Sequence, residues 1–380
     1  MNIAIPKENS TVEQRVPVLP VTVEKLVKKG ATITVEAGLG ATLGITDTEY
    51  KKAGAVIEKN RKKLVASGDI VLRLRKPDAK ELTGMKKGAI HVSYLDPFNE
   101  PKLIADLAKK NISAVSMEMI PRSTRAQKMD ALSSQASLAG YAAVLVAANT
   151  IQKIFPMMMT PAGTIQPSKV FVIGAGVAGL QAIATAKRLG AKVDAFDTRP
   201  VAKNDVLSLG AKFVEIDLGE TGQTAQGYAK ALTEEQLKKQ REVMKQYCAA
   251  ADVVITTAQV FGRKAPVIVT KEMVEAMRPG SVLVDLAVET GGNVEGAIAG
   301  KIVEKNGVKI IGIKNMPERV AMNASLMYSN NLYNFLEEFW NKETKQFDLK
   351  LDDDIIKGCL ITHGGKIVHP NFAPKKNEKK

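Results

Sequence analysis

The chain has 380 residues, of which 45% are hydrophobic and 25% charged, and its formal net charge is +14. This length exceeds what one hydrophobic core supports, so two domains are expected, and the composition excludes a disordered chain. The charge alone would suit a nucleic-acid binder. However, aromatic residues make up only 5% of the chain, and the lysines are scattered along amphipathic helices rather than gathered beside stacking residues. We therefore predict no nucleic-acid partner.

Strand and helix patterns alternate along the first part of the chain. The runs NIAIP, TITVEAG, DIVLRLRKP and GAIHVSYL predict strands, and residues 21–29, 47–55 and 101–110 predict helices. Short β-rich runs separated by helical patterns are typical of a parallel sheet covered by helices.

The same pattern restarts after a long apolar helix predicted over residues 138–154 and a polar hinge, TPAGTIQPS. The runs KVFVIGAG, KVDAFD, KFVEI, DVVITT, SVLVDLA and KIIGIKN predict strands, and a second long helix over residues 326–339 would return the chain to the first domain. We therefore predict an α/β protein of two Rossmann-like domains with parallel sheets, joined by two long helices. The predicted domains are residues 1–137 plus 327–380, which is discontinuous, and residues 138–326.

The cysteines and the apolar segments indicate in which cellular compartment the chain is expected. Cys248 and Cys359 are far apart and no CxxC motif is present, which predicts neither a disulfide nor a metal site and fits a reducing compartment. The start, MNIAIPKEN, lacks the pattern of a signal peptide. The most apolar segment, residues 138–148, is about half the length that spans a bilayer, so we predict no membrane span.

A glycine motif follows the first strand of the second domain. Gly174, Gly176 and Gly179 have GxGxxG spacing, follow a β-branched strand and open a helix of small residues, which is the context that dinucleotide binding requires. The three glycines would serve the tight turn, the approach to a pyrophosphate, and close helix packing, in that order. The helix N-terminus offers N–H groups to phosphate. A glycine turn that binds nothing is the alternative.

The next strand ends in a carboxylate that bears on cofactor choice. Asp197 can accept both ribose hydroxyls of an adenosine and repel a 2′-phosphate. Arg199, two residues later, favours NADP(H) instead, because an arginine there can meet a 2′-phosphate. Giving the carboxylate more weight, we predict NAD(H).

A long Gly/Thr/Gln-rich stretch that includes Gly227 and Tyr228 separates KFVEI from the next amphipathic helix. Loops of such length tend to be lids or binding loops. A disordered insertion is the alternative.

Residues 121–135, PRSTRAQKMDALSSQ, are unusually rich in hydrogen-bonding side chains, with two arginines, two glutamines, an aspartate and several hydroxyls. A generic surface helix has no need of this capacity. The plain interpretation is a surface helix capped by Ser123 or Thr124.

Histidine is scarce in the chain. A nicotinamide enzyme that oxidises an alcohol or amine needs a proton acceptor, usually His or Lys. His91 lies in an apolar run and is predicted to be a buried strand residue, and His363 and His369 lie in a turn between short strands. None has an obvious carboxylate partner, so we predict no histidine base.

Together these motifs resemble those of the soluble NAD(H)-binding component of proton-translocating nicotinamide nucleotide transhydrogenases. The resemblance covers nearly the whole chain and includes IAIPKE, MEMIPRSTRAQKMDALSSQASLAGY, FPMMMTPAGT, GAGVAGLQAIATAKRLGA, GYAKAL, PGSVLVDLAVETGGN and GGKIVHP. Alanine dehydrogenases are similar in fold.

The resemblance implies a site for NAD(H) in the cleft between the domains, with residues 121–135 at the nicotinamide end. Arg122, Gln127, Asp130 and Ser133 would position the ring rather than act as acids or bases, together with Tyr228 on a closing loop. Other implied cofactor contacts are Ser123, Thr124, Lys128, Met129, Gly174, Gly176, Val177, Gly179, Asp197, Thr198, Arg199, Gly227, Gln240, Ala258 and Gln259, the last standing where relatives often have leucine.

Two departures bear on the reaction. The opening PKENSTVEQRV lacks the glycine of the commoner PKE-x-x-x-G-E-x-R-V pattern. The positions that hold a catalytic lysine and histidine in alanine dehydrogenases hold Arg75 and Asp96 here, which favours a transhydrogenase. An NAD-dependent alanine or related amino-acid dehydrogenase is the alternative, and a non-catalytic NAD-sensing module is a third hypothesis.

The resemblance also implies partners. Hydride would pass from NADH on this chain to NADP⁺ on an NADP(H)-binding component, and a membrane-embedded proton-channel subunit would carry the proton. The chain would be a homodimer in the cytoplasm, held at the cytoplasmic face of the inner membrane through these subunits.

Overall fold

The structure is a computed structural model that describes residues 1–219, 221–222 and 232–373. Its internal contacts divide the chain into two compact units. The discontinuous unit consists of Met1–Gln135 and Val320–Lys380, and the central unit is Ala136–Arg319.

The strands alternate with helices through both units. In the described residues the strands are β1 (Asn2–Ile5), β2 (Thr32–Glu36), β3 (Val56–Glu58), β4 (Ile70–Leu72), β5 (Ile90–Ser93), β6 (Ser113–Ser116), β7 (Met158–Thr160), β8 (Gly163–Ile165), β9 (Lys169–Ile173), β10 (Lys192–Phe196), β11 (Lys212–Phe213), β12 (Val253–Thr256), β13 (Val282–Asp285), β14 (Lys301–Lys305), β15 (Val308–Gly312), β16 (Trp340–Asn341), β17 (Gln346–Phe347), β18 (Leu360–His363) and β19 (Lys366–Ile367). The α-helices are α1 (Pro20–Lys28), α2 (Asp47–Lys52), α3 (Arg61–Ser67), α4 (Ala79–Gly84), α5 (Pro101–Lys109), α6 (Ala131–Thr150), α7 (Val177–Arg188), α8 (Ala202–Ser208), α9 (Glu234–Ala250), α10 (Lys271–Glu275), α11 (Ala321–Glu338) and α12 (Asp354–Cys359).

The discontinuous unit is built on a sheet of order β19-β18-β6-β5-β4-β1-β2-β3. Strands β1 to β6 pair in parallel, and β18 joins β6 antiparallel with Leu360 opposite Val115. Strands from the far end of the sequence therefore complete a sheet that the N-terminal residues begin.

The central unit has a sheet of order β11-β10-β9-β12-β13-β15-β14, in which only the edge strand β14 runs antiparallel. The strand order reverses between β9 and β12, which pair through Val170 and Val253. Ligands of doubly wound sheets bind beyond the carboxyl ends of the strands at such a reversal. The chain leaving β9 is therefore at the place where a nucleotide site is expected.

Alternate residues of the central strands pack into two apolar layers. Val170 and Val172 of β9 belong to a cluster with alanines of α6 and α7, whereas Phe171 and Ile173 belong to a cluster with Met244 of α9 and its neighbours. Both faces of the sheet are covered, which explains why these strands are continuous apolar runs rather than alternating ones.

The predicted fold class, an α/β protein of two domains with mainly parallel sheets, is confirmed. The two long helices overlap the predicted ones but have different bounds. Helix α6 begins seven residues before 138 and ends at Thr150, and α11 begins at Ala321 rather than 326. Asp130 accounts for the early start of α6, since its Oδ1 accepts the Ser133 N–H at 2.9 Å, an N-terminal cap. The predicted boundary after residue 326 falls inside α11, which the contacts assign whole to the discontinuous unit.

The predicted polar hinge is not simply a hinge. It contains β8, which pairs antiparallel with β7 in a hairpin, Met158 lying opposite Ile165. All six hairpin strand residues are exposed. With no buried face, the hairpin has none of the alternation from which strands are predicted.

Helix α6 is, among the described residues, one helix whose length and composition would allow it to cross a membrane. Its 20 residues exceed the predicted apolar segment. Ala143, Val144 and Ala147 are fully buried in the core of the central unit, and buried core helices have the same composition.

Candidate nucleotide-binding site

The turn that leaves β9 has the geometry that its glycines predict. Gly174 has φ +96°, in the left-handed region, and its N–H donates to the Phe196 carbonyl of β10 at 2.8 Å. A Cβ on Gly179 would lie 1.8 Å from the carbonyl oxygen of Gly174, so only glycine allows α7 to approach this turn. The first and third glycines of the motif are therefore structural.

Gly176 differs from the other two glycines. It is the N-cap of α7 with φ −80°, a value open to any residue, and a Cβ there would meet nothing within 4 Å. The next residue, Val177, is 42% exposed. The packing of the chain does not require this glycine, and without a Cβ at this position the helix N-terminus stays accessible.

Asp197 lies directly beside this turn. Its Oδ2 accepts the Ala175 N–H at 2.8 Å, which ties the end of β10 to the glycine motif. Arg199 forms a two-pronged ion pair with the same carboxylate, from Nε to Oδ1 and from Nη2 to Oδ2, each at 2.9 Å. The hydrogen bond to Asp197 raises the pKa of Arg199. Thr198 is held by its carbonyl, which accepts the Thr221 hydroxyl at 2.9 Å.

The loop after β12 is shaped by buried polar residues that sequence reasoning missed. Ala258 exchanges hydrogen bonds with the side-chain amide of Asn293, at 3.0 and 2.8 Å. Asn293 in turn donates its backbone N–H to Asp285 at 2.8 Å. Both side chains are fully buried, and burial raises the pKa of Asp285. In the sequence, the carboxylate of Asp285 interrupts the apolar run SVLVDLA, and this interruption is the signal that could have marked the buried polar cluster.

The remaining predicted cofactor contacts in the central unit differ in their exposure. Gln259 is exposed, and its amide donates to the Leu286 carbonyl at 2.8 Å. Gln240 on α9 is 4% exposed, and its Nε2 lies 3.2 Å from the sulfur of Met244. Gly227 and Tyr228 lie outside the described residues. The predicted amphipathic helix after them is confirmed as α9.

Residues 121–133 form an irregular loop, a short 3₁₀ turn over Gln127–Met129, and the first turn of α6. Arg122, Ser123, Thr124 and Gln127 are exposed. The interpretation of a helix capped by Ser123 or Thr124 is wrong, because the capping residue is Asp130, which also accepts the Ser133 hydroxyl at 2.5 Å.

Buried and paired residues of the 121–133 loop fix it against the rest of the discontinuous unit. Met129 is fully buried, and the Lys128 carbonyl accepts amide hydrogens from Asn331 and Asn334 of α11 at 3.1 and 3.0 Å. Lys128 also pairs with Glu338 at 2.9 Å. Arg125, which was not predicted to have a role, pairs with Asp353 at 2.6 Å. The anchored residues therefore hold Arg122 and Gln127 toward solvent on a fixed backbone.

The histidines lack the surroundings of a general base. His91 is confirmed as a fully buried strand residue, its Nε2 lies 2.9 Å from the Ser93 hydroxyl, and burial lowers its pKa to about 3. His363 bonds to Ser113 at 2.9 Å, and burial lowers the pKa of His369. Across the described residues, no ion pair joins a histidine to a carboxylate and no group of potential ligands could hold a metal ion.

Arg75 and Asp96, the two positions predicted from the sequence to differ from alanine dehydrogenases, make internal contacts. Arg75 donates to Glu13 at 2.7 Å, and Glu13 in turn pairs with Arg15 at 2.8 Å. Burial alone would raise the pKa of Glu13, but these two guanidinium groups outweigh it and lower the pKa. Asp96 has φ +53° and accepts the Asn99 amide at 2.7 Å. A permanently charged arginine cannot serve as a proton acceptor.

Comparison with known proteins places this chain in a family. Residues 4–139 match the family described as alanine dehydrogenase/PNT, N-terminal domain, and residues 143–370 match alanine dehydrogenase/PNT, C-terminal domain. The chain belongs to the alanine dehydrogenase/PNT family.

Individual relatives match nearly the whole chain. It is 46% identical over 377 residues to an NAD(P) transhydrogenase alpha subunit chain of Rhodospirillum rubrum, a match that covers 97% of this chain and 98% of the relative. A crystal structure of transhydrogenase from Sinorhizobium meliloti superposes with a TM-score of 0.85 at 43% identity and covers 98% of this chain and 100% of that one. The alanine dehydrogenase of Methanococcus maripaludis is 28% identical over 383 residues, covering 98% and 96%. The predicted resemblance is confirmed.

Proposed function

We propose that this chain is the NAD(H)-binding component of a proton-translocating transhydrogenase. Its likeness to transhydrogenase subunits supports an oxidoreductase that binds nicotinamide nucleotides. The observations that carry the proposal are the intact nucleotide turn at Gly174 and Gly179 and the guanidinium of Arg75, which is tied to Glu13 and cannot accept a proton.

Direct hydride transfer suits this set of residues. Bound NADH would supply the hydride, and transfer to NADP⁺ on a partner component releases no substrate proton, so no general base is required. The requirement is that the two reacting carbons approach within about 3–3.5 Å. Gln127 and Arg122 would hold the nicotinamide end of NADH, and Asp130 with Ser133 would fix the backbone that carries them. The helix N-terminus at Gly176 would hold the pyrophosphate.

Three assays separate the candidate functions. The proposed component oxidises NADH only when an NADP(H)-binding component is added. An amino-acid dehydrogenase would reduce NAD⁺ with alanine and need no partner, and a sensor would bind NADH and do nothing more. Reduction of NAD⁺ by alanine in the purified chain would overturn the proposal.

Cofactor preference is a first expected result. NADH should bind at least about tenfold more tightly than NADPH, which corresponds to about 1.4 kcal/mol, because Asp197 would face the extra phosphate. Asp197→Asn keeps the shape of the side chain but loses its charge, so it should abolish this preference. Titration of both nucleotides into both proteins is the measurement. Equal affinities in the unmutated chain would refute the assignment of Asp197.

We further propose that the chain acts beside an NADP(H)-binding component and a membrane-embedded proton-channel subunit, at the cytoplasmic face of the inner membrane. It would do so as a homodimer. The β7–β8 hairpin is the candidate contact surface, with Met157, Met158, Met159 and Ile165 exposed by 58, 45, 75 and 45%.

A second copy of the chain is the occupant that fits this hairpin. A lone two-stranded hairpin with exposed apolar side chains is stable only when packed against something. Residues 154–168 carry no charge, although the chain has a net charge of +14. Two hairpins can therefore meet without the repulsion that opposes contact elsewhere between copies.

The Met159→Asp variant should accordingly weaken the dimer at least about tenfold, since each interface would bury a new unpaired carboxylate. Sedimentation velocity over a concentration series measures this. Leu207→Asp on α8, where Leu207 is 48% exposed, is the matched control and should leave association unchanged. A monomeric wild type, or equal association of both variants, would contradict the assignment.

A further inference from the structure

The carboxylate of Asp197 has no room for another hydrogen bond in this structure. Oδ1 accepts the backbone N–H of Arg199 at 2.8 Å and its Nε at 2.9 Å. Oδ2 accepts the Ala175 N–H at 2.8 Å and the Arg199 Nη2 at 2.9 Å. An ionised carboxylate offers about four lone-pair positions. All four are therefore used within the chain.

The two backbone bonds and the two side-chain bonds differ in how easily they are given up. The N–H groups of Ala175 and Arg199 are fixed by the turn after β9 and by the end of β10. The Arg199 side chain is long, and 18% of it is exposed in the ion pair. An adenosine ribose brings two hydroxyl donors to this carboxylate. The two bonds that can be released match the two that the ribose needs.

We infer that Arg199 is an internal competitor for the ribose site, so that NAD(H) binds only when the guanidinium leaves Asp197. This inference rests on the proposed function, because it takes NAD(H) as the ligand. The freed guanidinium remains two residues from the carboxylate. There it attracts a 2′-phosphate, which makes Arg199 a specificity-determining residue that acts against Asp197.

This competition has opposite consequences for the two nucleotides. Removing the guanidinium leaves two acceptor positions open to the ribose of NADH, with no ion pair to break first. For NADPH the same change removes a cation that can pair with the phosphate. Arg199 therefore lowers the affinity for NADH and raises that for NADPH.

The test is Arg199→Met, which keeps an unbranched, flexible stem and removes every donor. Lys203→Met is the matched control, because Lys203 pairs with Glu215 at 2.8 Å and not with Asp197. The control removes the same charge four residues away. Both nucleotides are titrated into wild type and variants by calorimetry, with thermal unfolding to show that each protein is folded.

We expect Arg199→Met to bind NADH at least about threefold more tightly than the control, the scale of a partly exposed ion pair. Its NADPH affinity should fall below that of the control. Arg199→Lys, a point charge without the planar fork, should give an intermediate NADH affinity and serves if the methionine variant does not fold.

NADH affinity in Arg199→Met equal to or weaker than in the control, with wild type binding normally, would overturn this inference alone. Wild type and Arg199→Met that both fail to bind NADH would overturn the proposed function and the inference with it. Binding of NADH by Arg199→Met but not by wild type would support both.

Discussion

Replacing Gly176 by valine should abolish nucleotide binding while costing no more stability than the roughly 1 kcal/mol by which valine is the poorer N-cap residue. A Cβ at this position would meet nothing within 4 Å, so the fold leaves room for the start of a side chain. It would, however, project into the space where backbone must approach the pyrophosphate. We expect NADH affinity to fall by at least about a hundredfold, or about 2.7 kcal/mol. Fluorescence titration with NADH and thermal unfolding measure the two quantities separately.

Gly179→Ala is the contrasting variant. Its Cβ would lie 1.8 Å from the Gly174 carbonyl oxygen, and a backbone atom cannot step aside as a flexible side chain can. Overpacking of this kind costs about 1–3 kcal/mol, so the melting temperature should fall by several degrees. If Gly176→Val lowers the melting temperature as much as Gly179→Ala does, the glycine is structural and the N-terminus of α7 is not a phosphate site.

Gln127→Asn should slow hydride transfer on the order of a hundredfold while NADH affinity stays nearly constant. The substitution keeps the amide and retracts it by one methylene, and a small misplacement of reacting atoms costs that much. Affinity rests instead on the glycine turn and the adenosine end. The measurements are NADH affinity of the isolated chain and the single-turnover rate with an NADP(H) component.

The loop offers a matched control in Arg125→Lys, a charge-conserving change at another exposed position of the same loop, since Arg125 pairs with Asp353 and is not among the predicted cofactor contacts. It should leave both rate and affinity nearly unchanged. Comparable losses of rate and affinity in Gln127→Asn would make Gln127 a binding residue rather than a positioning one. Normal values for both would remove it from the site.

The parallel sheets were predictable because their strands are buried on both faces. β9, β12 and β13 read as continuous apolar runs bounded by glycine or polar turns, and the spacing GxGxxG needs only local sequence. Strands without a buried face gave no such signal. The β7–β8 hairpin and the edge strand β14, both largely exposed, were missed for this reason.

Long-range polar contacts were unpredictable for a different reason. Arg125 and Asp353 are 228 positions apart, and nothing local marks either as the partner of the other. Asn293 and Asp285 lie close in sequence, yet they shape the loop after β12 only because Asn293 also contacts Ala258, which is distant in sequence. For Asp197 and Arg199 the sequence raised the right ambiguity, but the ion pair between them depends on side-chain conformation.

The antiparallel pairing of β18 with β6 has a consequence for the order of folding. Thr362 lies opposite Ala114, so this edge of the sheet cannot close until nearly the whole chain has been synthesised. All residues of the central unit, Ala136–Arg319, are made before β18. Domains generally fold as units during synthesis, and contacts of great sequence separation form slowly. The unit with the glycine turn can therefore mature on the ribosome while the unit with the 121–133 loop still presents the open edge of β6.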